Sequence, residues 1–298
     1  MQSSLSKELP PVNTIFIWDF DWTVVNCNSD EYVPTQFLGY DEVFKRVTAE
    51  INEHGPNFWH EIIAKIINAC HNEKEASLVG VLEKSAEMPY LVDVKQALTD
   101  VYNSHNCGQA IISDGNDKFI EAFLRQTNML DYFTHGIETN IATWDNESLF
   151  KIAYQSSKYD GHECSRCPPN LCKSQALRNI LDRINRKRPR IVYVGDGHND
   201  ACPALCVMNE NDVLLAREGK RKLNPNSLSG PQSDDDQNCN ETANDGASDG
   251  GTFGIVPTLE KVKKKEGLAP RCRVSTWNSG KDLRSLIHSI LNEEESSP

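Results

Sequence analysis

The chain has 298 residues and a formal net charge of −12, with 38% hydrophobic and 25% charged residues. This composition is typical of a globular protein, and the negative charge argues against a general nucleic-acid binder or adhesion to an anionic membrane. No run of about 18 apolar residues occurs and the start of the chain is polar, so we expect neither membrane insertion nor a signal peptide. We therefore expect a cytoplasmic protein with reduced cysteines.

The first predicted strand is the apolar run at 14–18, and Asp19 and Asp21 follow it directly. From 29 to 89 apolar residues recur at spacings of three and four, which predicts helices. Because this block has no strand of its own, we interpret it as a helical cap. The cap is inserted into a core formed by residues 1–28 and 90–298.

Predicted helices and strands alternate after the cap. Helices are expected at 92–105, 116–130, 171–185 and 279–294. Strands are expected at 108–116, in the first part of 190–200 and at 212–217, with short strands between 135 and 155. This alternation predicts an α/β fold with a mostly parallel sheet, whose ligands lie outside the carboxyl ends of the strands.

Two stretches differ in composition from this core. Residues 224–252 are polar, acidic and low in complexity, without Lys or Arg, which predicts a disordered surface loop. The basic run at 261–267 follows and is interpreted as a solvated face.

Polar residues at the strand ends are the candidates for chemistry. Asp19 and Asp21 are two residues apart, so on an extended segment both carboxylates point to the same side. Ser113 and Asp114 lie at a strand-to-helix turn, where a hydroxyl and free N–H groups can hold phosphate oxygens. The same residue types also favour an ordinary helix N-cap.

Lys173 opens the next predicted helix, and the following strand ends in the sequence GDGHND at 195–200. Its glycines allow a tight turn, and its carboxylates suit Mg²⁺, which prefers one or two carboxylates together with phosphate and water oxygens.

The order of these signals resembles one protein superfamily. D-x-D-x-T, a strand-end Ser, a helix-opening Lys and G-D-G-x-N-D resemble the haloacid dehalogenase (HAD) phosphohydrolases. The stretches DFDWTVVNCNSDEYV and CSRCPPNLCKSQAL are similar to the phosphoethanolamine/phosphocholine phosphatase family, over roughly residues 14–220. The resemblance implies a HAD-like Rossmannoid three-layer core with an inserted helical cap.

The resemblance also implies roles for individual residues. Asp19 corresponds to a nucleophile that becomes an aspartyl-phosphate, and Asp21 to a general acid and base. Mg²⁺ is expected on Asp19, the Asp21 carbonyl and Asp196. The remaining residues are expected to bind phosphate (Ser113, Lys173), to contact substrate (Asp30, Asp114) or to support the metal and its neighbours (Asn199, Asp200).

The expected substrate is a small phosphorylated metabolite. Asp30 and Asp114 suit a cationic head group, which favours phosphoethanolamine or phosphocholine. Trp22, Asn26 and Cys27 depart from the family pattern and leave pyridoxal 5′-phosphate and pyrophosphate as alternatives. Transfer of phosphate to another acceptor and an inactive scaffold are further hypotheses, and the sequence does not indicate which protein partners the chain has.

Three cysteines stand just before Lys173: Cys164, Cys167 and Cys172, with His162 nearby. The spacing C-x₂-C-x₄-C is compatible with zinc but lacks a clear fourth ligand. The sequence therefore favours reduced thiols packed near Lys173 over a zinc site.

Overall fold

The computed structural model describes residues 8–145, 149–159, 161–184, 187–219, 229–234 and 254–295. Its centre is a sheet of seven strands: β1 (Thr14–Trp18), β3 (Cys107–Asn116), β4 (Ile137–Asp145), β5 (Leu149–Ala153), β6 (Arg190–Gly195), β7 (Val213–Arg217) and β9 (Arg273–Trp277). Their order is β5-β4-β3-β1-β6-β7-β9, and all neighbours are parallel except β4 and β5. The predicted α/β fold with a mostly parallel sheet is confirmed.

Helices cover both faces of this sheet. One face packs against α5 (Val92–Tyr102), α6 (Asp117–Gln126) and α10 (Gly280–Glu295), and the other against α7 (Lys173–Asp182), α8 (Ala201–Cys206) and α9 (Ile255–Glu266). The side chains of β1 alternate between the two faces of the sheet. Phe16 and Trp18 belong to the hydrophobic core on the α5 side, and Ile15 and Ile17 to the core on the α7 side. None of the helices within the described ranges is long and apolar enough to span a bilayer.

Four helices fill the region between β1 and the short strand β2 (Tyr90–Leu91): α1 (Ser29–Leu38), α2 (Tyr40–His54), α3 (Trp59–Lys74) and α4 (Leu78–Ala86). Their apolar sides merge with the core on the α5 side of the sheet, through residues such as Ile62 and Ile66. The Asn68 side chain on α3 also bonds both main-chain groups of Phe150, at 2.7 Å to N and 3.0 Å to O. This contact joins the helical block to the edge strand β5.

Several element boundaries differ from those expected. The predicted helices at 116–130 and 171–185 are shorter, as α6 and α7, and the strand expected within 190–200 ends at Gly195. Strand β9 and helix α9 were not predicted. Strand β9 has no apolar run because it lies at the sheet edge, where only Trp277 is buried. The basic run falls in the last turn of α9, where exposed cations complement the helix dipole.

Most of the expected loop at 224–252 lies outside the described residues; only 229–234 are described. Within them, β8 (Pro231–Gln232) pairs in parallel with β2. The Asp234 carboxylate accepts hydrogen bonds from the N–H groups of Gly280 and Lys281, at 2.8 and 3.0 Å, at the start of α10. These residues therefore bridge the helical block and the last helix of the core.

Replacing Asn68 by Ala should lower the free energy of unfolding by about 1–3 kcal/mol, because the buried Phe150 main chain loses both partners. Chemical denaturation measures the change. Asn72→Ala is the matched control, since Asn72 is an exposed asparagine one turn further along α3. Equal losses for the two variants would show that the contact does not stabilise the docked helices.

Candidate active site

The carboxyl ends of three neighbouring strands, β3, β1 and β6, meet at one edge of the sheet. Asp19 follows β1 and its N–H donates to the Val194 carbonyl at 2.8 Å, so pairing with β6 continues to this aspartate. Asp196 follows β6, and Ser113 lies near the end of β3. Parallel pairing thus brings together residues far apart in sequence, as the strand-end pattern predicts.

Lys173 lies between two of these carboxylates. Its Nζ is 2.8 Å from Asp19 Oδ1 and 2.6 Å from Asp200 Oδ1, and the side chain is fully buried. Burial opposes the charged ammonium, but the two carboxylates outweigh it and raise the pKa of Lys173 well above its ordinary value. The lysine is therefore a fixed positive charge in the site.

Asp200 is the most heavily bonded carboxylate of the site. Oδ1 accepts from Lys173 and from the Tyr193 hydroxyl at 2.8 Å, and Oδ2 accepts the N–H groups of Asp196 and Gly197 at 3.0 and 2.9 Å. A Cβ on Gly195 would come within 2.5 Å of the Asp200 carboxyl carbon, so only glycine permits this approach. Four hydrogen bonds thus fix the Asp200 carboxylate among these residues.

Asp19, Asp196 and Asp200 each offer a carboxylate oxygen within 4.8 Å of the others, and all three residues are buried. Burial and the Asp200 charge raise the pKa of Asp19 well above its usual value, although Lys173 acts in the opposite direction. A buried, all-oxygen donor set with excess negative charge fits Mg²⁺.

The segment after Asp19 differs from the extended chain expected. Residues 21–24 form a turn in which Trp22 has a left-handed φ of 56°, so the side-chain alternation of a strand does not continue. Asp21 is instead held by Ser29, whose N–H and hydroxyl donate to its two oxygens at 2.9 and 3.2 Å. Burial raises the pKa of Asp21 well above its usual value, and the Asp30 charge adds to the shift.

Ser113 and Asp114 face this second carboxylate. A Cβ on Gly115 would lie 3.3 Å from the Ser113 hydroxyl and 3.8 Å from Asp21 Oδ2. The side chains of Ser113 and Asp21 are therefore close to each other, beside Gly115. The Ser113 hydroxyl already accepts the Gly115 N–H at 3.1 Å, so its own hydrogen points elsewhere. Asn199 donates to Asp114 Oδ2 at 3.0 Å.

Asp30 is carried into the site by α1. It is 3% exposed, and the indole N–H of Trp59 donates to its Oδ2 at 2.9 Å. His60, which follows Trp59 on α3, is also buried, and its Nε2 is 2.7 Å from the Asp114 carbonyl oxygen. The helical block thus supplies part of the wall that faces the strand ends.

Sequence reasoning missed four residues of this site: Ser29, Trp59, His60 and Tyr193. Ser29 follows the helix N-cap Asn28 and carries an ordinary signal for a helix start, which hid its bond to Asp21. Tyr193 alternates with apolar residues inside β6, and only its buried hydroxyl marks it as polar. Trp59 and His60 depend on how α3 docks, which spacing does not specify.

Residues 14–225 match the protein-family model described as Putative Phosphatase. The chain belongs to this family, so the expected enzyme class, a phosphatase, is confirmed.

Named relatives add detail to this assignment. A pyridoxal phosphate phosphatase of Mus musculus is 29% identical over 70% of this chain and 83% of its own length. Inorganic pyrophosphatase 2 of Arabidopsis thaliana is 25% identical over 96% of this chain and 86% of its own length. The solved structure of a phospho-aspartyl intermediate analogue of phosphoserine phosphatase covers 71% of this chain and 87% of that chain, with 17% identity and a TM-score of 0.45.

Adding Mg²⁺ should raise the midpoint of thermal unfolding, because the ion offsets the repulsion among the three clustered carboxylates. At a hundredfold excess over Kd the gain is about 2.7 kcal/mol. Asp196→Asn should lose this shift, while Asp145→Asn, which changes an exposed carboxylate, should keep it. An undiminished shift in the Asp196 variant would place the ion elsewhere.

Proposed function

We propose that this phosphatase is a Mg²⁺-dependent phosphomonoesterase that works through an aspartyl-phosphate on Asp19. The observation that carries the proposal is the position of the Asp19 carboxylate. It is fixed at the end of β1, 2.8 Å from a buried lysine and grouped with Asp196 and Asp200. A nucleophile held by rigid strands, beside a fixed positive charge, suits in-line attack on a phosphate ester.

In the proposed reaction, an oxygen of Asp19 attacks phosphorus while the bond from phosphorus to the ester oxygen breaks. Asp21 gives its proton to the departing oxygen. Water then attacks phosphorus and passes a proton to Asp21, the bond to Asp19 breaks, and inorganic phosphate leaves. The two bonds from Ser29 hold Asp21 in place for both proton transfers.

The carboxylates of Asp19 and Asp196 and the main-chain carbonyl of Asp21 would hold the ion, with Asp200 orienting them. A bound Mg²⁺ would supply positive charge that offsets the repulsion between Asp19 and the phosphate. Lys173 and the Ser113 hydroxyl would bind the phosphoryl oxygens. The ammonium of Lys173 donates to Asp200 Oδ1 and lies 2.8 Å from Asp19 Oδ1, and its three hydrogens allow a further bond to a phosphate oxygen.

For the substrate we favour a small phosphorylated amine such as phosphoethanolamine or phosphocholine. Asp30 and Asp114 lie beside Asp21, and their carboxylates accept hydrogen bonds from two uncharged donors, Trp59 and Asn199. A cationic head group would compensate this negative charge.

Pyridoxal 5′-phosphate is the second candidate substrate. The name of the Mus musculus relative favours it, and its ester is of the same chemical class. Pyrophosphate, which the name of the Arabidopsis thaliana relative brings forward, fits these carboxylates less well because its leaving group is itself an anion.

Asp19→Asn should lower kcat at least about 10³-fold, because the amide cannot attack phosphorus. Removing the nucleophile of other enzymes causes losses of this size. Asp21→Asn should slow both chemical steps while leaving the Mg²⁺-dependent thermal shift in place. Phosphate release under saturating substrate measures both. Asp19→Asn with the activity of the parent protein would rule out Asp19 as the nucleophile.

Asp30→Asn should lower kcat/KM for phosphoethanolamine and phosphocholine about 10-fold or more, since the cation loses its partner. For an uncharged aryl phosphate the change should stay within about threefold, which controls for indirect effects on Asp21. Pyridoxal 5′-phosphate is measured in parallel. If kcat/KM falls equally for all four esters, Asp30 does not recognise a cation.

A further inference from the structure

Four cysteines converge beside the active site. Cys164, Cys167 and Cys172 come from the loop that precedes α7, and Cys202 comes from α8. Their sulfur atoms all lie within 4.8 Å of one another, and the sulfurs of Cys164 and Cys202 are 3.6 Å apart. The fold thus supplies the fourth ligand that the spacing of the first three lacks.

The separations between these sulfurs fit a metal better than a disulfide. A tetrahedral zinc ion with Zn–S bonds of about 2.3 Å keeps its sulfurs about 3.8 Å apart. A disulfide requires about 2.05 Å, and all four cysteines are free. Cys172 and Cys202 are buried, and Cys164 and Cys167 are half-buried, so the group is largely shielded from water.

Hydrogen bonds and the Arg166–Glu266 ion pair hold the loop, but no buried apolar side chain anchors it. The side chains of residues 161–169 are all exposed or half-buried, so the loop contributes almost nothing to a hydrophobic core. Its conformation must nevertheless be defined, because it leads directly into the buried Lys173. A metal ion is a usual way to order a loop that lacks apolar anchors.

His162 is not needed as a ligand. Its Nδ1 accepts the N–H of Cys164 at 3.2 Å, so Nε2 carries the hydrogen and donates to the Pro168 carbonyl at 2.8 Å. The hydroxyl of Ser174 lies 2.9 Å from the Cys202 sulfur. Both residues have the supporting positions that outer partners of a metal site occupy.

From this geometry we infer that Cys164, Cys167, Cys172 and Cys202 bind one structural Zn²⁺ ion as thiolates, releasing their protons on binding. Soft thiolate ligands select zinc among the common divalent ions, and four protein ligands leave no open position for catalysis. This site is separate from the carboxylate group that fits Mg²⁺.

The proposed zinc site has a consequence for the active site. Cys172 directly precedes Lys173, and Cys202 lies two residues after Asp200. A zinc ion would therefore join the two segments that carry the Lys173–Asp200 ion pair, which is 2.6 Å long. The four cysteines would then affect catalysis only by fixing the positions of Lys173 and Asp200.

The test measures metal content in the full chain purified without chelators. We expect about one zinc per chain in the parent protein and less than about 0.2 in Cys167→Ser and Cys202→Ser. Cys206→Ser is the matched control, because Cys206 is an exposed cysteine on the same helix as Cys202 and should leave zinc unchanged. Asp196→Asn should also keep its zinc, which distinguishes this site from the carboxylates.

Cobalt exchange tests the parent protein without relying on variants that fold poorly. Co²⁺ in place of zinc should give the thiolate-to-cobalt charge-transfer absorption of a tetrahedral thiolate site, and zinc should displace it. Zinc below about a tenth of an equivalent after reloading, with no such absorption, would overturn the proposal. Iron in place of zinc would overturn the choice of metal. Neither readout depends on phosphatase activity, so failure here leaves the proposed reaction untouched.

Discussion

The structure depends on one buried ammonium group. Lys173 lies between Asp19 and Asp200 with no exposure to solvent, and it joins the end of β1 to the turn after β6. Without its charge, two buried carboxylates would face each other unpaired, which in other proteins costs about 3–5 kcal/mol. These ion pairs therefore join the two segments at this edge of the sheet and orient Asp19, the proposed nucleophile.

Two further contacts stabilise the surroundings of that pair. On one side, Ser29, at the start of the helical block, donates two hydrogen bonds to Asp21 and so fixes the carboxylate that is proposed to transfer protons. On the other side, the proposed zinc ion would join, through four cysteines, the segments that carry Lys173 and Asp200. Different parts of the chain thus hold the two aspartates after β1, which supports the different roles proposed for them.

Part of this arrangement could be predicted from the sequence. Buried strands ending in polar residues placed Asp19, Ser113 and Asp196 at one sheet edge, since parallel strands align their carboxyl ends. The turn at Trp22 could not be predicted, because a tryptophan rarely adopts a left-handed φ and its carbonyl accepts a hydrogen bond from the distant Arg217. Cys202 was missed as the proposed fourth ligand because it comes 30 positions after Cys172, with α7 and β6 between them.

The most direct test of the account is to identify the phosphorylated side chain. The enzyme is quenched during turnover with Mg²⁺ and reduced with borohydride, which converts an acyl phosphate to an alcohol, and its peptides are analysed by mass spectrometry. We predict homoserine at position 19 in the parent protein and no reduced residue in Asp19→Asn. Reduction at another aspartate, with residue 19 unchanged, would contradict the account.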